Sequence, residues 1–421
     1  MAMYITAKSI FARSASEIIR CLDQIPAIAA GSHTVLFSIS PASSWPESSL
    51  TELVSHLNSL PRSLGCLSAP VQLRGHAKTR PAAEGSILDS TVCSVAVFDR
   101  QFATPFRSTI PGREATQVGR WHSFRKAGDI KLQDHQLPET GVDWESVWAQ
   151  KDVQPKVPEE LETLSPEDVQ TVIYLSDTAP EGLNNALQYF THANKVGILS
   201  HSTPFLTGRP HTLFYNGEIL SSGAVGLCIH RNPSRPTSLN VYWPDLDPVT
   251  PTLTVTESES NLIHSINGVN PSRLLLNAIE KLESSAKDDT YYVGVKAAQL
   301  EPKGSPSDQI YGIMSGDPSR GTIALEGESA PMSGAEVQIF RSRSDLRSTI
   351  TSRRGINFCK AYSDGIDVLL DPPHDPDGAI VLDDTFLAVS ENGLIMNPRT
   401  TAQTSVTNWK STLPGSSFVV R

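Results

Sequence analysis

One arrangement occurs twice in the first 245 residues: a strand, a helix, a Gly-x-Leu-Ser segment, a loop and a second strand. The first copy spans about residues 33–126 and the second about residues 170–232. Their anchors are Gly65–Ser68 and Gly197–Ser200, and the first of these is interpreted as part of a polar, turn-rich stretch. Two copies of one supersecondary unit usually pack around a shared core or cleft. The sequence therefore predicts an internal strand–helix–strand duplication with the anchors at equivalent places.

The apolar pattern within the first copy predicts its helices and strands. The segment HTVLFSIS, residues 33–40, is β-branched and aromatic, which is typical of a buried strand. The helix that follows has leucines along one face, and Ser48 or Ser49 is expected to cap its start. An earlier helix is expected to begin at a Ser14 or Ser16 cap.

Proline-rich breaks divide the chain. The stretch 128–168 is acidic and contains prolines, and it is interpreted as a linker or surface strap. Prolines recur again between residues 232 and 252, after which a new series of strands begins. We therefore predict an α/β mixed (α+β) fold with two sheet-based domains, residues 1–245 and 246–421.

Composition excludes several classes of partner. A net charge of −10 argues against a nucleic-acid surface and against binding to an anionic membrane. No apolar run approaches the length that spans a bilayer. The five cysteines are scattered and odd in number, which indicates reduced thiols in an intracellular compartment. A cytoplasmic location is expected, and the basic, acid-poor N-terminal segment keeps a mitochondrial presequence as the alternative.

Sequence motifs for the common cofactors are absent. The chain has no G-x-G-x-x-G segment after a strand, no phosphate loop, no G-x-S-x-G elbow and no H-E-x-x-H segment. The spacing of its histidines and cysteines does not match a metal site. We therefore expect neither a cofactor nor a bound metal.

The segment SHSTPFLTGRPHTLFYNG, residues 200–217, concentrates polar side chains between two tight turns. Its prolines and glycine restrain the backbone, which would present Arg209 and its planar fork of donors to a carboxylate or phosphate. The alternative is that Arg209 pairs with a neighbouring acid and only fixes the loop. His211 is interpreted as a structural histidine or a ligand contact. The predicted ligand-binding residues here are Ser200, Ser202, Thr203, Arg209 and His211, with Ser68 at the equivalent position of the first copy.

Two further segments carry candidate residues. Arg120 and His122 lie in GREATQVGRWH, where an aromatic residue among cations fits either a planar anionic ligand or a lock between domains. Asp317 and Arg320 lie in the turn GDPSRG, which is interpreted as a hairpin or as a second-domain contact to the ligand. Cys66 is expected to fill the apolar place that Ile198 occupies in the second copy.

Several of these segments resemble the FIST family, an intracellular signal-transduction domain. The resemblance rests on STPFLTGRPHTLFYNGEILSSGAVGLCI, LGCLS, PFRSTIPGREATQVGRWH, MSGDPSRGTIAL and VSENGLIMNP, which occur in family order. It implies a FIST N-terminal domain followed by a FIST C-terminal domain, and it is closest to fungal members. It also implies binding of small ligands such as amino acids, with no agreed catalytic residue. No F-box segment is recognised before these domains, so the adaptor role of F-box relatives is not expected to follow.

Three functions remain open at this point. The first is a sensory protein that binds a small organic or amino-acid-like ligand, expected to be anionic, in a cleft between domains. The second is a cofactor-independent lyase, isomerase or cyclase acting on a small organic metabolite, with His122 and His211 as its acid/base groups. The third is a protein-interaction adaptor with a protein partner.

Overall fold

The structure is a computed structural model of the 421-residue chain. It describes residues 3–42, 44–75, 90–112, 156–282, 289–296, 309–317, 321–327, 329–343, 350–351, 353–362, 365–370, 378–397 and 409–421. Helices and strands alternate in the first half of the chain, whereas the second half consists almost entirely of strands. The mixed α/β (α+β) class that the sequence predicts is confirmed.

The described residues contain six α-helices and 27 strands. The helices are α1 Ala15–Asp23, α2 Pro26–Ala29, α3 Glu47–Asn58, α4 Glu181–Leu187, α5 Pro204–Thr207 and α6 Pro271–Glu280, with a 3-10 turn at Glu159–Leu161. The strands up to the middle of the chain are β1 Thr6–Ala12, β2 Thr34–Ser40, β3 Ser63–Leu67, β4 Val71–Gly75, β5 Thr91–Phe98, β6 Ala103–Ser108, β7 Val169–Ser176, β8 Asn194–Leu199, β9 Leu213–Tyr215, β10 Glu218–Leu220, β11 Ala224–His230 and β12 Leu239–Tyr242. The remaining strands are β13 Asp247–Pro248, β14 Leu253–Glu259, β15 Leu262–Ile266, β16 Thr290–Val295, β17 Gln309–Asp317, β18 Thr322–Leu325, β19 Glu336–Ser342, β20 Ile350–Thr351, β21 Gly355–Lys360, β22 Ile366–Leu370, β23 Ile380–Asp383, β24 Thr385–Ser390, β25 Leu394–Asn397, β26 Trp409–Ser411 and β27 Ser417–Val420.

Three of the sheets share one internal arrangement. Their strand orders are β10-β9-β3-β2-β5-β1-β23, β26-β25-β8-β7-β11-β6 and β12-β27-β21-β24. In each sheet a central strand pairs in parallel with one neighbour and antiparallel with the other: β2 with β3 and β5, β7 with β8 and β11, and β21 with β24 and β27. The strand pairing of the two units that the sequence shows therefore recurs in a third sheet, although no helix lies between β21 and β24 among the described residues. We refer to the units built on β2, β7 and β21 as the first, second and third units.

The inner faces of the three units pack together into one hydrophobic core. The same alternating positions of the three parallel neighbour strands contribute to it, as expected when one face of each sheet is buried. They are Leu64 and Cys66 in β3, Val196 and Ile198 in β8, and Phe386 and Ala388 in β24. Cys66 thus occupies the place of Ile198, as predicted, and burial raises the pKa of its thiol to about 12.

The outer faces of the units are covered by different elements. Helices α1 and α3 pack on the first unit, with Ile18, Leu22 and Leu53 in contact with the β2 and β5 side of the sheet. Helix α4 packs on the second unit, and the small sheet β20-β22-β4 packs on the third. The hydroxyl of Ser14 caps α1, as predicted. The start of α3 differs from the prediction: its cap position is Pro46, so neither Ser48 nor Ser49 caps it.

The remaining strands form a barrel that is inserted in the chain between β12 and β21, two strands of the third unit's sheet. Strands β19, β14, β15, β18, β17 and β16 pair in this order, and β16 pairs again with β19, which closes the sheet. Strand β13 adds to β19, and α6 contacts β15 and β18. Strands from both sides of residue 245 share sheets, since β12 pairs with β27. The division into domains 1–245 and 246–421 stays a prediction.

The Gly-x-Leu-Ser segments are not turns but the ends of buried strands. Gly65 lies beside Phe37 in β2, and Gly197 lies beside Tyr174 in β7. A Cβ atom at either glycine would overlap the carbonyl oxygen of that neighbour, so only glycine lets the strands approach this closely. The prediction of a turn-rich stretch at residues 63–68 is wrong, because β3 runs parallel to β2 and needs no hairpin.

The serines that follow these strands make matching backbone hydrogen bonds. The Ser68 amide donates to the Ile39 carbonyl at 2.7 Å, and the Ser200 amide donates to the Ser176 carbonyl at 2.7 Å. In each case the acceptor lies on the central strand of the same unit, two residues beyond the aromatic neighbour of the glycine. The pairing thus places the two anchors at corresponding points of the first and second units.

None of the helices in the described residues is long and apolar enough to cross a membrane. All five cysteines are free. No group of three or more His, Cys, Asp and Glu side chains that could hold a metal ion occurs within the described ranges. The absence of a metal, the absence of a cofactor and the cytoplasmic or mitochondrial location stay predictions.

The close approach of the parallel strands predicts different results for two Gly→Ala substitutions. Gly197→Ala should lower the free energy of unfolding by about 2–4 kcal/mol, because the new methyl group has no space beside Tyr174. Gly378→Ala is the matched control, because no atom lies within 4 Å of the position that its new methyl group would take. Urea unfolding of both variants measures the difference. Equal stability of the two variants would contradict the assigned packing.

A second prediction concerns Lys195, which lies in β8 and is 1% exposed. Its Nζ has no hydrogen-bond partner among the described residues, and burial lowers its pKa to about 8 from 10.5. Between about pH 8 and 10.5 the unfolded chain therefore binds more protons than the folded protein, so the free energy of unfolding rises with pH across this window. Below about pH 8 the folded protein bears the full destabilisation from burying the charged amine. Lys195→Met should remove the contribution of Lys195 to this pH dependence. It should also raise the free energy of unfolding at pH 7 by on the order of 2–3 kcal/mol.

Urea unfolding at pH 7 and pH 10 tests the Lys195 prediction. The control is Lys156→Met, because the Lys156 side chain is 80% exposed and its replacement should leave the stability and its pH dependence nearly unchanged. The prediction is wrong if Lys195→Met is less stable than the wild type at pH 7 and keeps the same pH dependence. That result would show that the Lys195 amine has hydrogen-bond partners in the folded protein.

Candidate functional site

The carboxyl ends of β3, β8 and β24 meet where the three units join. A serine stands at each of these ends, and the three serines, Ser68, Ser200 and Ser390, are all buried. Ser390 lies beside Lys360, the last residue of the central strand of the third unit. We call the segments 67–69, 199–201 and 389–391 the strand-end ring. Ligands of open α/β sheets commonly bind at the carboxyl ends of parallel strands.

Hydrogen bonds run from unit to unit around the strand-end ring. The His201 amide of the second unit donates to the Leu67 carbonyl of the first at 3.3 Å. The Ala69 amide of the first unit donates to the Val389 carbonyl of the third at 2.9 Å. The Ser390 hydroxyl of the third unit donates to the Leu199 carbonyl of the second. The ring is therefore closed, and each strand end is held by the next unit.

The Ser68 hydroxyl lies in a small polar cluster inside the first unit. It shares a hydrogen bond with the Ser38 hydroxyl and lies 3.9 Å from the Cys66 thiol. The Val389 amide also approaches it, at 3.4 Å. Ser68 thus connects the first and third units, and its hydroxyl is already engaged by protein groups.

Ser200 and His211 form a buried pair in the second unit. The Ser200 hydroxyl lies 3.1 Å from His211 Nδ1. His211 is held in place because it pairs as an isolated β-bridge with Ser202. The sequence predicted both residues at the site, and the structure brings them together. A hydroxyl beside an imidazole is the arrangement of a nucleophile and its base, and equally of a fixed hydrogen-bond donor.

The loop from His201 to Thr212 connects the second unit to β9, which pairs with β3 of the first. Three of its hydroxyls form a cluster: Thr203 and Thr212 lie 2.7 Å apart, and Thr207 and Thr212 lie 2.8 Å apart. The Thr203 hydroxyl also donates to the Arg209 carbonyl at 3.0 Å. Thr203 is therefore a buried residue that fixes the loop.

The other predicted loop residues lie toward the surface. Arg209 follows Gly208, whose φ of +71° reverses the chain after α5. Its Nη1 donates to the Ser221 hydroxyl at 3.1 Å, so the hydrogen bond of its guanidinium goes to a neutral group and not to an acid. Ser202 lies at the surface end of the ring, where its amide donates to Glu391 at 3.1 Å. A ligand contact by Arg209 or Ser202 stays a prediction.

Sequence reasoning missed several functional candidates, among them His201, Glu391 and Asn392. Glu391 Oε1 lies 3.0 Å from His201 Nδ1. Burial lowers the pKa of His201, whereas the charge of Glu391 raises it. Asn392 Nδ2 donates to the Ser200 carbonyl at 2.8 Å. Glu391 and Asn392 both lie in VSENGLIMNP, one of the segments that carry the family resemblance. They were missed because only the tertiary structure brings this segment against the second unit.

Lys360 lies on the inner side of the same ring and was also missed. It is 8% exposed, and its Nζ donates to the Ala361 carbonyl at 2.8 Å. Burial lowers the pKa of its amine to about 8, although the nearby Glu326 and Glu391 oppose this shift. Glu326 belongs to the loop after barrel strand β18, so Lys360 lies near the seam between the barrel and the three units.

Some of the predicted site residues are not among those that the structure describes. Arg120, His122 and Arg320 lie outside the described residues, and of Asp317 only the backbone, at the end of β17, is described. Their roles stay predictions. A separate surface cavity of about 490 Å³ is lined by Ser32, His33, Asp99, Arg100 and Gln101. It lies at the opposite end of β2 from Ser68, and we favour the ring because three units contribute polar groups to it.

Comparison with known families places most of these elements in one domain. The FIST N domain matches residues 33–269, which is more than half of the chain. The match includes β2, β3 and β5 of the first unit, β7, β8 and β11 of the second, and the loop between His201 and Thr212. A comparison with curated proteins finds no match. On the strength of the FIST N match and the paired units that it covers, the chain belongs to the FIST family.

Proposed function

We propose that this chain is a small-ligand-binding sensory protein whose ligand binds at the strand-end ring. The observation that carries the proposal is the meeting of three strand ends, each from a different unit, at one cluster of polar side chains. Membership of the FIST family supports a small ligand, and the C-terminal FIST domain and the fungal relationship remain part of the proposal.

The ring is suited to binding because its backbone is already fixed. Hydrogen bonds between units hold segments 67–69, 199–201 and 389–391 in place, and the threonine cluster holds the adjoining loop. A ligand that binds there orders few additional groups, so little of its binding energy is lost to conformational entropy. Any movement of one unit relative to another would also change the ring, which is what a sensory domain requires.

The charges beside the ring favour a zwitterionic, amino-acid-like ligand. One amide proton of Asn392 is held by the Ser200 carbonyl, whereas the other makes only a 3.4 Å contact with the Ser202 hydroxyl and can turn to a ligand carboxylate. Glu391 can accept from an ammonium group. Lys360 adds a cation when it is protonated. Arg209 at the surface end of the loop is retained as a proposed contact for a larger anion. Such paired charges match the expected organic or amino-acid-like anion better than a neutral metabolite.

Isothermal titration with amino acids and with the corresponding 2-hydroxy acids tests this proposal. Glu391→Gln should weaken amino-acid binding about ten- to a hundredfold, because it replaces the anionic acceptor of the ammonium group with a neutral amide. The same variant should affect 2-hydroxy acids much less, since they carry no ammonium group. Glu218→Gln is the control, because its carboxylate pairs with Arg107 at the surface and not with the ring.

Two outcomes separate the alternatives in this titration. An Arg209→Ala variant that loses affinity while Glu391→Gln does not would move the site to the exposed side of the loop. Ligands that bind all three variants with wild-type affinity, or a complete lack of binding in the wild type, would overturn the proposal. Thermal melts of each variant confirm that the fold is retained.

The second candidate function is a cofactor-independent enzyme, and the Ser200–His211 distance of 3.1 Å is the observation that favours it. If His211 activated Ser200, a fluorophosphonate probe should attach to the Ser200 hydroxyl. We expect no such label, because the Ser200 hydroxyl that the probe would have to reach belongs to a completely buried residue, at 0% exposure. Mass mapping of the treated protein is the measurement, and a stoichiometric adduct on Ser200 that is lost in His211→Phe would favour the enzyme.

A further inference from the structure

Lys360 occupies a position that recurs in all three units. The residue beside the ring serine at the end of the central strand is Ser40 in the first unit, Asp177 in the second and Lys360 in the third. Asp177 has a structural role, since its carboxylate accepts from the Ala179 amide at 2.9 Å and the Gly223 amide at 2.6 Å. The third unit therefore places an amine where the second places a turn-forming carboxylate.

The amine of Lys360 is weakly engaged. Its hydrogen bond goes to the carbonyl of its own neighbour, Ala361, so two of its three protons have no acceptor among the described residues. Its strand partner Ser390 does not use it, because the Ser390 hydroxyl donates to Leu199 and accepts from the Asn392 and Gly393 amides at 3.0 Å. Within the described part of the chain, Lys360 is thus held in position without being neutralised by an ion pair.

Two features make this amine chemically accessible at neutral pH. Burial lowers the pKa of Lys360 to about 8, so roughly one molecule in ten carries the neutral amine at pH 7. Lys360 as a residue also keeps 8% exposure, whereas Lys195, which has a similarly lowered pKa, is only 1% exposed and lies at the other end of its strand. Lysine is the side chain that forms Schiff bases with carbonyl substrates when it is desolvated in this way.

We propose that Lys360 binds a small 2-oxo acid covalently, as an imine between its Nζ and the keto carbon. This inference rests on the proposed function, because the Asn392 amide assigned there to a carboxylate would hold the acid group. A 2-oxo acid has the skeleton of an amino acid with a carbonyl in place of the amine, so one site can accept both.

The reaction balances without an oxidant or a metal. The nitrogen lone pair of the neutral amine forms a bond to the carbonyl carbon, and the carbonyl π electrons move to oxygen. A proton passes from nitrogen to that oxygen, giving a carbinolamine. The hydroxyl then leaves as water after taking up one further proton, and nitrogen loses its remaining proton as the C=N bond forms. Amine and ketone yield imine and one water, and hydrolysis reverses the step.

Reductive trapping tests the inference on the full chain. The protein is incubated with glyoxylate and sodium cyanoborohydride at pH 7, and the adduct is located by peptide mass mapping. Occupancy at Lys360 should exceed that at exposed Lys156 by at least about tenfold, because the bound carboxylate raises the local carbonyl concentration. Lys195→Met is the matched control and should keep the adduct, whereas Lys360→Arg should lose it.

The wild-type map is decisive even if Lys360→Arg fails to fold. An adduct spread evenly over exposed lysines, or one concentrated on Lys195, overturns the inference. Failure of the imine is distinguishable from failure of the binding proposal by titration of amino acids into Glu391→Gln. Amino-acid binding that depends on Glu391, combined with no adduct on Lys360, leaves the binding site standing and removes the covalent step. An adduct that an excess of 2-hydroxy acid suppresses supports a shared site, because this competitor carries the carboxylate but no amine that could consume glyoxylate.

Discussion

The hydrogen bonds that close the strand-end ring hold the three units of this protein together. They join the first unit to the third, the second to the first and the third to the second. Each sheet would otherwise end in unpaired backbone groups at a buried edge, which is costly. Each unit supplies hydrogen-bond partners for the backbone groups at the strand end of another unit. The three inner faces can therefore share one core, and no unit satisfies the backbone groups of its own strand end alone.

The same closure explains why the polar groups of the candidate site lie where they do. Buried hydroxyls and imidazoles need partners, and the ring supplies them as backbone carbonyls and as side chains of another unit. Ser200 lies beside His211, and His201 lies beside Glu391. Lys360 is the exception, since its hydrogen bond satisfies only one of three protons. A buried polar group that the fold leaves undersatisfied is a reasonable place for a ligand to contribute.

Sequence reasoning identified the first two units but not the third, and the reason is physical. Glycine is required in β3 and β8 because both the carbonyl oxygen and the aromatic ring of the residue beside it in the central strand lie against its Cα. The equivalent position of β24 is Leu387, beside the smaller Asn357, so the anchor that revealed the repeat is missing. The third unit is also interrupted, because the barrel separates β12 from β21 and β24 in the chain. Its strands therefore have no contiguous pattern.

Local sequence was enough to predict the mixed fold class, the buried strands, the cap of α1, the duplicated anchors and the equivalence of Cys66 and Ile198. These features follow from periodicity, from cap chemistry and from the space beside a glycine, all of which act within a short segment. Other features emerged from long-range packing alone: the anchors are strand ends, a third unit joins them, Glu391 and Asn392 contact the second unit, and Lys360 pairs with the third ring serine. Those residues are distant in the chain from Ser68 and Ser200, and they meet because strand ends of separate units must satisfy one another's backbone hydrogen bonds.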